Sequence, residues 1–368
     1  MDKKKNAGRS DAAGILNKIL GSRFLLTIVS IVLSFVVGAI FLLVIGINPL
    51  TAYEKLITGA LGKLKYISYC VVYATPLIFT GLSVAFSFRT GVFNIGAEGQ
   101  FVVGSMAACV VGILVPAPSW LLIPLCFIAA ALAGALWGII VGLLKTKFGI
   151  NEVLSMIMFN WIAYYLSNFI AKIDGITDTG NAEATMNVSD NAMILLPKSW
   201  IGSMGLCNTA NWGIFLAIVF IVIVWVIIEK TTMGYELKAV GFNHSAAEYG
   251  GINVNRSVLL ALAISGALAG IGGATQLLGP GKRISVFSSQ EGYGFQGISV
   301  ALIGGSDPFG VLFAGLFYGI LKYGGTKLNL IGAPSEVINI ITGTVVFFIA
   351  ISHVFRINVR KGGRHHRG

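Results

Sequence analysis

Two glutamates lie in glycine-rich interruptions of an otherwise apolar sequence. Glu98 lies within Gly91-Val-Phe-Asn-Ile-Gly-Ala-Glu-Gly-Gln100, and Glu291 lies within Ser289-Gln-Glu-Gly-Tyr-Gly-Phe-Gln-Gly297. Breaks of this kind in membrane helices expose backbone groups and helix ends that bind polar solutes, and an ionisable side chain at membrane depth indicates a functional site. We therefore predict that both breaks line a solute path. Amide side chains lie beside both glutamates: Asn94 and Gln100 beside Glu98, and Gln290 and Gln296 beside Glu291.

The same residues allow a structural interpretation. A carboxylate near the start of a helix commonly caps the backbone N–H groups there, so solute contact and capping both stay open for Glu98 and Glu291. Asn160 and Trp161 lie in a later apolar run and are candidates for the same path, although Asn160 could instead bond to a neighbouring helix. Phe295 adds an aromatic ring to the second break and could serve either the path or the packing.

The sequence lacks the patterns of an enzyme. It contains no G-x-x-x-x-G-K-[ST] loop for nucleotide phosphates. Gly292-Tyr-Gly-Phe-Gln-Gly297 formally matches a dinucleotide fingerprint, but it lacks the preceding strand and the acidic residue about 20 positions later that this fingerprint requires. We find neither a metal-binding spacing of side chains nor a nucleophile beside a base. We expect no catalysis, no metal and no cofactor in this chain.

The elements that position these residues are predicted to be membrane helices. The chain has 368 residues, of which 55% are apolar and 11% charged, and its mean hydropathy is +0.83. A soluble domain carries about 25% charged residues, whereas a membrane-spanning helix needs about 20 apolar ones. We predict an all-α polytopic membrane protein with about ten spans, the eighth and ninth of them short. The runs are Phe24–Gly46, Tyr66–Phe88, Ile95–Val115, Trp120–Leu144, Val153–Ala171, Trp212–Ile228, Ser257–Leu278, Gly297–Gly305, Gly310–Tyr323 and Val337–Val354.

Basic residues indicate how the chain is threaded through the membrane. Lys and Arg concentrate in an N-terminal arm (1–23), in a tail (356–368) and in loops after even-numbered spans. By the positive-inside rule, this places both termini in the cytoplasm. The transmembrane domain then covers 24–355, with a polar outer loop at 172–211 and a cytoplasmic loop at 229–256. The net charge of +11 thus reflects topology, and we expect a lipid bilayer as partner rather than nucleic acid.

Two patterns indicate how the spans are arranged. The blocks Tyr66–Ala171 and Ser257–Val354 each begin with an intact span followed by an interrupted one, which predicts inverted-topology repeats with broken helices. Glycines at four-residue spacing allow membrane helices to approach closely, within one chain or between two. With ten helices to assemble, we favour packing within the chain. These glycines are Gly134, Gly138 and Gly142, then Gly266 and Gly270, then Gly315 and Gly319.

The cytoplasmic loop contains helical stretches with several small side chains. A short helix of this kind suits docking into a groove of another protein. The alternative is an amphipathic helix at the membrane surface, but the near-balanced charge of the loop gives it little attraction to anionic lipid. The small residues are Ala239, Gly241, Ala246, Ala247 and Gly251.

The segment Gly91–Gln100 closely resembles the signature of permease subunits of ABC importers, in the group that carries ribose, related sugars, branched-chain amino acids and nucleosides. Other matching segments follow in order from about the second span to the last. They are Gly149-Ile-Asn-Glu-Val153 with Met158 and Asn160, the loop around Gly241, Asn243 and Ala246-Ala247, and Val300-Ala-Leu-Ile-Gly-Gly305 with Pro308. Ser245 departs from the pattern, because the broader importer motif often has Glu there.

The form Asn-Ile-Gly-Ala-Glu-Gly-Gln is most similar to the nucleoside branch of these importers. The resemblance implies a permease of the bacterial plasma membrane that imports nucleosides, such as the purine nucleoside guanosine. It implies three kinds of partner: an ABC ATPase subunit that hydrolyses ATP, a second permease that is identical or homologous, and an extracellular substrate-binding lipoprotein. It also implies that the ATPase docks on the cytoplasmic loop, which we call the coupling loop, at Gly241, Asn243, Ala246, Ala247 and Gly251.

Two alternatives stay open. A sugar importer of the same group would depend on ATP in the same way but would carry ribose or galactose. A proton-coupled secondary transporter would use Glu98 or Glu291 as a proton relay.

Overall fold

The computed structural model describes residues 23–351 except 287, 335 and 350. Within these residues the chain is mainly helical and contains a small two-stranded sheet. The described residues up to Leu56 and from Gly325 onward form one compact body, and Ile57–Gly324 forms a second. The predicted basic arm, apart from Arg23, and the predicted basic tail lie outside the described residues.

The helices follow one another with short connections, except around the predicted outer loop. That loop contains the antiparallel hairpin of β1, Thr177–Asp178, and β2, Asn181–Thr185. Helix α11 continues into a π-helical turn over Leu277–Gly281. The helices are α1 Arg23–Val44, α2 Pro49–Leu61, α3 Leu64–Arg89, α4 Ala97–Leu114, α5 Ser119–Phe148, α6 Glu152–Ile170, α7 Lys198–Met204, α8 Gly213–Lys230, α9 Thr232–Phe242, α10 His244–Tyr249, α11 Val254–Gln276, α12 Tyr293–Ile303, α13 Pro308–Gly325 and α14 Val337–Ile349.

The structure is that of an all-α polytopic membrane protein, as predicted. Among the described residues, seven helices are long and apolar enough to cross a membrane, and they coincide with the first seven predicted spans. The last three predicted spans correspond to α12, α13 and α14. Of these, α12 and α14 are shorter apolar helices, and α13, with 18 residues, is not among the seven candidate spans. The number of crossings and the inverted repeat therefore stay predictions.

The first body brings together α1, the start of α2 and α14. The Tyr53 hydroxyl donates a hydrogen bond to the Phe35 carbonyl oxygen at 2.5 Å, and the two rings meet edge to face at 5.2 Å. Gly38 lies against Ile341 so closely that a Cβ atom there would collide with the Ile341 side chain. A small residue at position 38 thus lets α14 pack on α1.

In the second body, α11 lies at the centre and packs against α3, α4 and α5. The predicted glycine stripes make these contacts. A Cβ atom on Gly134 would overlap the backbone of Gly266, and one on Gly138 would overlap the carbonyl oxygen of Leu262. On α13, Gly319 meets the backbone of Cys70 in the same way. The prediction that these glycines pack within the chain is confirmed.

The two long loops lie at opposite ends of α3. At its beginning, the Cys207 N–H of the outer loop donates to the Ser68 hydroxyl oxygen at 2.8 Å. At its end, Gly241 of the coupling loop contacts the backbone of Arg89 and Gly91. With 26 residues, α3 is about 39 Å long, so the loops are separated by about a membrane thickness. Which loop faces the cytoplasm stays a prediction.

The outer loop also packs onto the chain that precedes α12. Its hairpin extends to residues 284–286, where the Thr185 N–H donates to the Ile284 carbonyl oxygen at 2.8 Å and the Val286 N–H donates to the Glu183 carbonyl oxygen at 2.7 Å. An Arg283–Asp178 ion pair at 3.2 Å joins the same two segments. The loop therefore holds the connection that leads to the second break.

Candidate translocation site

The first glutamate, Glu98, joins the two breaks directly. Its side chain is fully buried, and its two carboxylate oxygens accept hydrogen bonds from the backbone N–H groups of Gly292 and Gly294, each at 2.6 Å. These N–H groups lie at the start of α12, where no helical carbonyl is available to them. Gly294 lies so close to the Glu98 backbone that a Cβ atom would overlap it. Of the two interpretations from the sequence, capping describes the geometry of Glu98.

Asn94 and Gln100 form a buried polar network behind Glu98. The Asn94 amide nitrogen donates to Gln100 Oε1 at 2.8 Å and to the Ser265 hydroxyl oxygen at 2.6 Å. The Ser265 hydroxyl in turn lies 2.9 Å from the Ser83 hydroxyl and donates to the Ser83 carbonyl oxygen at 2.7 Å. This network links α3, the first break and α11, and sequence inspection did not find the two serines.

Asn160 closes the other side of the first break. Its Oδ1 accepts from the Gly99 N–H at 2.8 Å, and its Nδ2 donates to the Ile95 carbonyl oxygen at 3.1 Å. The side chain is 2% exposed, whereas the neighbouring Trp161 is 45% exposed. Asn160 therefore bonds across to a neighbouring segment, and Trp161 lies on an accessible face of α6.

The second glutamate, Glu291, has a different environment. It is partly buried, yet within the described residues neither a hydrogen-bond donor nor an ion-pair partner meets its carboxylate. The adjacent Gln290 has a buried amide nitrogen that finds no acceptor among those residues. Phe295, four residues after Glu291, is 41% exposed. The second break thus presents polar groups that the protein itself leaves unused.

Lys322 completes the second break, although the sequence interpretation missed it. Its ammonium group donates to Gln296 Oε1 at 2.9 Å and lies 4.1 Å from the centroid of the Tyr293 ring. The Tyr293 ring also stacks on Phe101, with the ring centroids 5.0 Å apart. The sequence signal for Lys322 was a lysine at the end of an apolar run. The same pattern is typical of a lysine whose side chain extends to the membrane surface.

The predicted site residues therefore divide into two groups. Four are buried and hydrogen-bonded between packed helices. The other four are at least partly exposed, on the second break or on α6. The buried residues are Asn94, Glu98, Gln100 and Asn160, and the accessible ones are Trp161, Glu291, Phe295 and Gln296.

The coupling loop folds into two short helices, α9 and α10. Asn243 caps α10, because its Oδ1 accepts from the Ala246 N–H at 3.1 Å. Ala247 is buried, whereas Ala246 and Gly251 are exposed, and Gly251 adopts a φ of +84° that favours glycine. Two aromatic side chains flank this helix almost fully exposed, Phe242 at 89% and Tyr249 at 97%. The loop thus presents small residues beside two aromatic ones.

Residues 66–350 match the family model described as branched-chain amino acid transport system / permease component. The match covers more than half of the chain and includes both breaks and the coupling loop. The chain belongs to this family of permeases. It is accordingly a multi-pass membrane protein and a transport subunit rather than an enzyme.

Several curated relatives match almost the whole permease. It is 38% identical to the guanosine ABC transporter permease protein NupP of Bacillus subtilis (strain 168), over 92% of this chain and 97% of that one. It is 35% identical to the nucleoside ABC transporter permease protein NupB of Lactococcus lactis subsp. cremoris (strain MG1363), over 92% and 94% of the two chains. It is 30% identical to the glucose ABC transporter permease protein TsgB13 of Haloferax volcanii, over 89% and 87%.

Proposed function

We propose that this permease forms the translocation path of an ATP-driven nucleoside importer of the bacterial plasma membrane, with purine nucleosides such as guanosine as its solutes. The observation that carries the proposal is the similarity of nearly the full chain to the two permeases named for guanosine and nucleosides. A relative named for glucose is less similar, which makes a sugar importer the second candidate.

The geometry of the two breaks supports different roles in transport, with the first break holding the helices and the second contacting the solute. Asn94, Glu98, Gln100 and Asn160 hold the first break and the start of α12 in place through buried hydrogen bonds. The solute passes the second break, where Glu291, Gln296 and Phe295 are accessible, and Trp161 lines the path from α6. A nucleoside suits such a site, because its hydroxyls and base edges need hydrogen bonds and its ring needs aromatic surface.

Energy for transport is proposed to come from a partner ABC ATPase, since the sequence contains no P-loop. The ATPase docks on the coupling loop at Gly241, Asn243, Ala246, Ala247 and Gly251, and the exposed Phe242 and Tyr249 add apolar contacts. Gly241 touches the backbone between α3 and the first break, so movement of the loop reaches the path directly. A second permease, identical or homologous, and an extracellular substrate-binding lipoprotein complete the importer.

The test is affinity purification of the tagged permease from its native membrane in mild detergent, followed by mass spectrometry. We expect an ABC ATPase and a permease partner to co-purify. Substituting both Phe242→Ala and Tyr249→Ala should remove most of the ATPase while the permease stays folded, because aromatic anchors dominate docking energy. Phe313→Ala, which removes an exposed ring on α13, is the matched control. Purification without any ATPase would contradict the proposal and favour a proton-coupled transporter.

A further inference from the structure

The second break contains two opposite charges that are close to each other but not paired. Lys322 bonds to Gln296 and covers the Tyr293 ring, which lies only two residues after Glu291. Among the described residues, however, no carboxylate oxygen lies within 4.0 Å of the Lys322 ammonium. Glu98 is occupied by the backbone of α12, whereas Glu291 meets no donor there. A carboxylate and an ammonium held apart at membrane depth carry an energetic cost that a bound solute can offset.

We infer that Lys322 and Glu291 recognise the base of a 6-oxopurine nucleoside by binding opposite ends of its polar edge. This inference rests on the proposed function and specifies the substrate class of the same site. An ammonium group has only donors and a carboxylate only acceptors. Guanine presents the acceptors O6 and N7 beside the donors N1–H and N2–H₂. Lys322 therefore donates to O6, and Glu291 accepts from N1–H and N2–H₂.

The same arrangement disfavours adenosine. Adenine carries an amino group where guanine carries O6, so that position offers donors to a lysine that has only donors. A site built to hydrogen-bond one group of a solute strongly rejects an analogue that lacks the group. Inosine keeps O6 and N1–H but lacks the 2-amino group, so it should bind through Lys322 as guanosine does and lose one contact with Glu291.

Partly exposed tyrosine side chains of α3 provide surface for the purine ring near Lys322. Tyr323, its neighbour on α13, stacks on Tyr69 at 5.0 Å, and Tyr66 and Tyr73 tilt against the same ring at 6.2 and 6.0 Å. Tyr66, Tyr69 and Tyr73 share one face of α3, because they are spaced three and four residues apart. We call these four residues the tyrosine cluster. It begins at the end of α3 that contacts the outer loop, so it is placed where a solute would approach the break.

Lys322 also has a structural alternative, because it bonds to Gln296 and covers the Tyr293 ring. A purely structural lysine would affect all solutes alike when it is replaced. Replacing a lysine that binds the base would change the relative uptake of different nucleosides. The ratio of guanosine to adenosine uptake therefore separates the two roles.

The experiment measures uptake of tritiated guanosine, inosine and adenosine by the complete transporter in cells without other nucleoside uptake. In the wild type, we expect guanosine and inosine to be preferred over adenosine. Lys322→Met should lower guanosine and inosine uptake at sub-saturating concentration about 10- to 100-fold, the range for losing one hydrogen bond to a charged group. Adenosine uptake should change by less than about threefold. Lys322→Arg should keep the preference, and Glu291→Gln should lower guanosine more than inosine.

The matched control is Lys63→Met, the same substitution at an exposed residue next to the start of α3. Co-purification of the partner subunits verifies that each variant is assembled. Equal loss of all three nucleosides in assembled Lys322→Met, no loss at all, or a wild type that prefers adenosine would overturn the inference. A wild type that carries no nucleoside would instead overturn the proposed function.

Discussion

At the scale of single residues, the two glutamates of the breaks show what a sequence leaves undetermined. Each lies among glycines and amides in an apolar chain, and sequence alone gives them equal weight. The structure distinguishes them, because Glu98 meets two backbone N–H groups from residues 194 and 196 positions away. Such partners depend on how α12 packs against α4, which no local pattern encodes. Lys322 was not predicted as a site residue for the same reason, because its partner Gln296 lies on another helix.

Glu98 yields a prediction about positioning rather than solute contact. Glu98→Gln removes one charge-assisted acceptor and places an amide NH₂ against a backbone N–H, so we expect a loss of about 2–4 kcal/mol in stability. Transport should fall for all solutes in parallel. Thermal unfolding of the purified transporter and uptake of guanosine and adenosine would measure both effects.

The control for this substitution is Glu183→Gln, which changes an exposed carboxylate in the outer loop and should leave both readouts unchanged. A Glu98→Gln protein of wild-type stability that loses only guanosine uptake would show that Glu98 contacts the solute, contrary to our account.

At the scale of elements, the glycine stripes were the most predictable feature of the packing. Spacing of four residues places Gly134, Gly138 and Gly142 on one face of α5, and the structure brings that face onto α11. Periodicity alone could not identify α11 as the partner, since Gly315 and Gly319 have the same spacing but pack on α3. The last three spans were less predictable, because glycines and polar residues shorten their apolar runs.

The close contact between α5 and α11 can be tested by adding one methyl group at Gly266. An alanine is about 1 kcal/mol better than glycine in an exposed helix, but at Gly266 its Cβ would overlap the backbone of Gly134. Because a backbone atom cannot rotate away, Gly266→Ala should destabilise the protein by about 1–3 kcal/mol. Thermal unfolding in detergent measures the change.

Gly202→Ala is the comparison, because a Cβ atom there meets no atom within 4 Å. It should leave the unfolding temperature unchanged or raise it. If Gly266→Ala were as stable as Gly202→Ala, the helices would not be held at the distance that the structure shows.

At the scale of the whole molecule, the two breaks come from distant parts of the chain and meet at one place. Glu98 and the start of α12 form that junction, the outer loop holds the segment before it, and the coupling loop touches the end of α3 beside it. A displacement at the coupling loop therefore acts first on the backbone at the beginning of the first break, which Glu98 joins to the start of α12. Membrane class, the helix faces that carry the glycine stripes and the resemblance to the permease family were available from the sequence, whereas this junction required the fold.

The assembled protein is proposed to import nucleosides at the expense of ATP. The most direct measurement is guanosine uptake by the purified complex with its binding lipoprotein in proteoliposomes, with and without ATP, and with ribose and galactose as competitors. We predict uptake that requires ATP, persists with an uncoupler and is not inhibited by either sugar. Uptake driven by a pH gradient without ATP, or transport of a sugar in place of guanosine, would contradict the account.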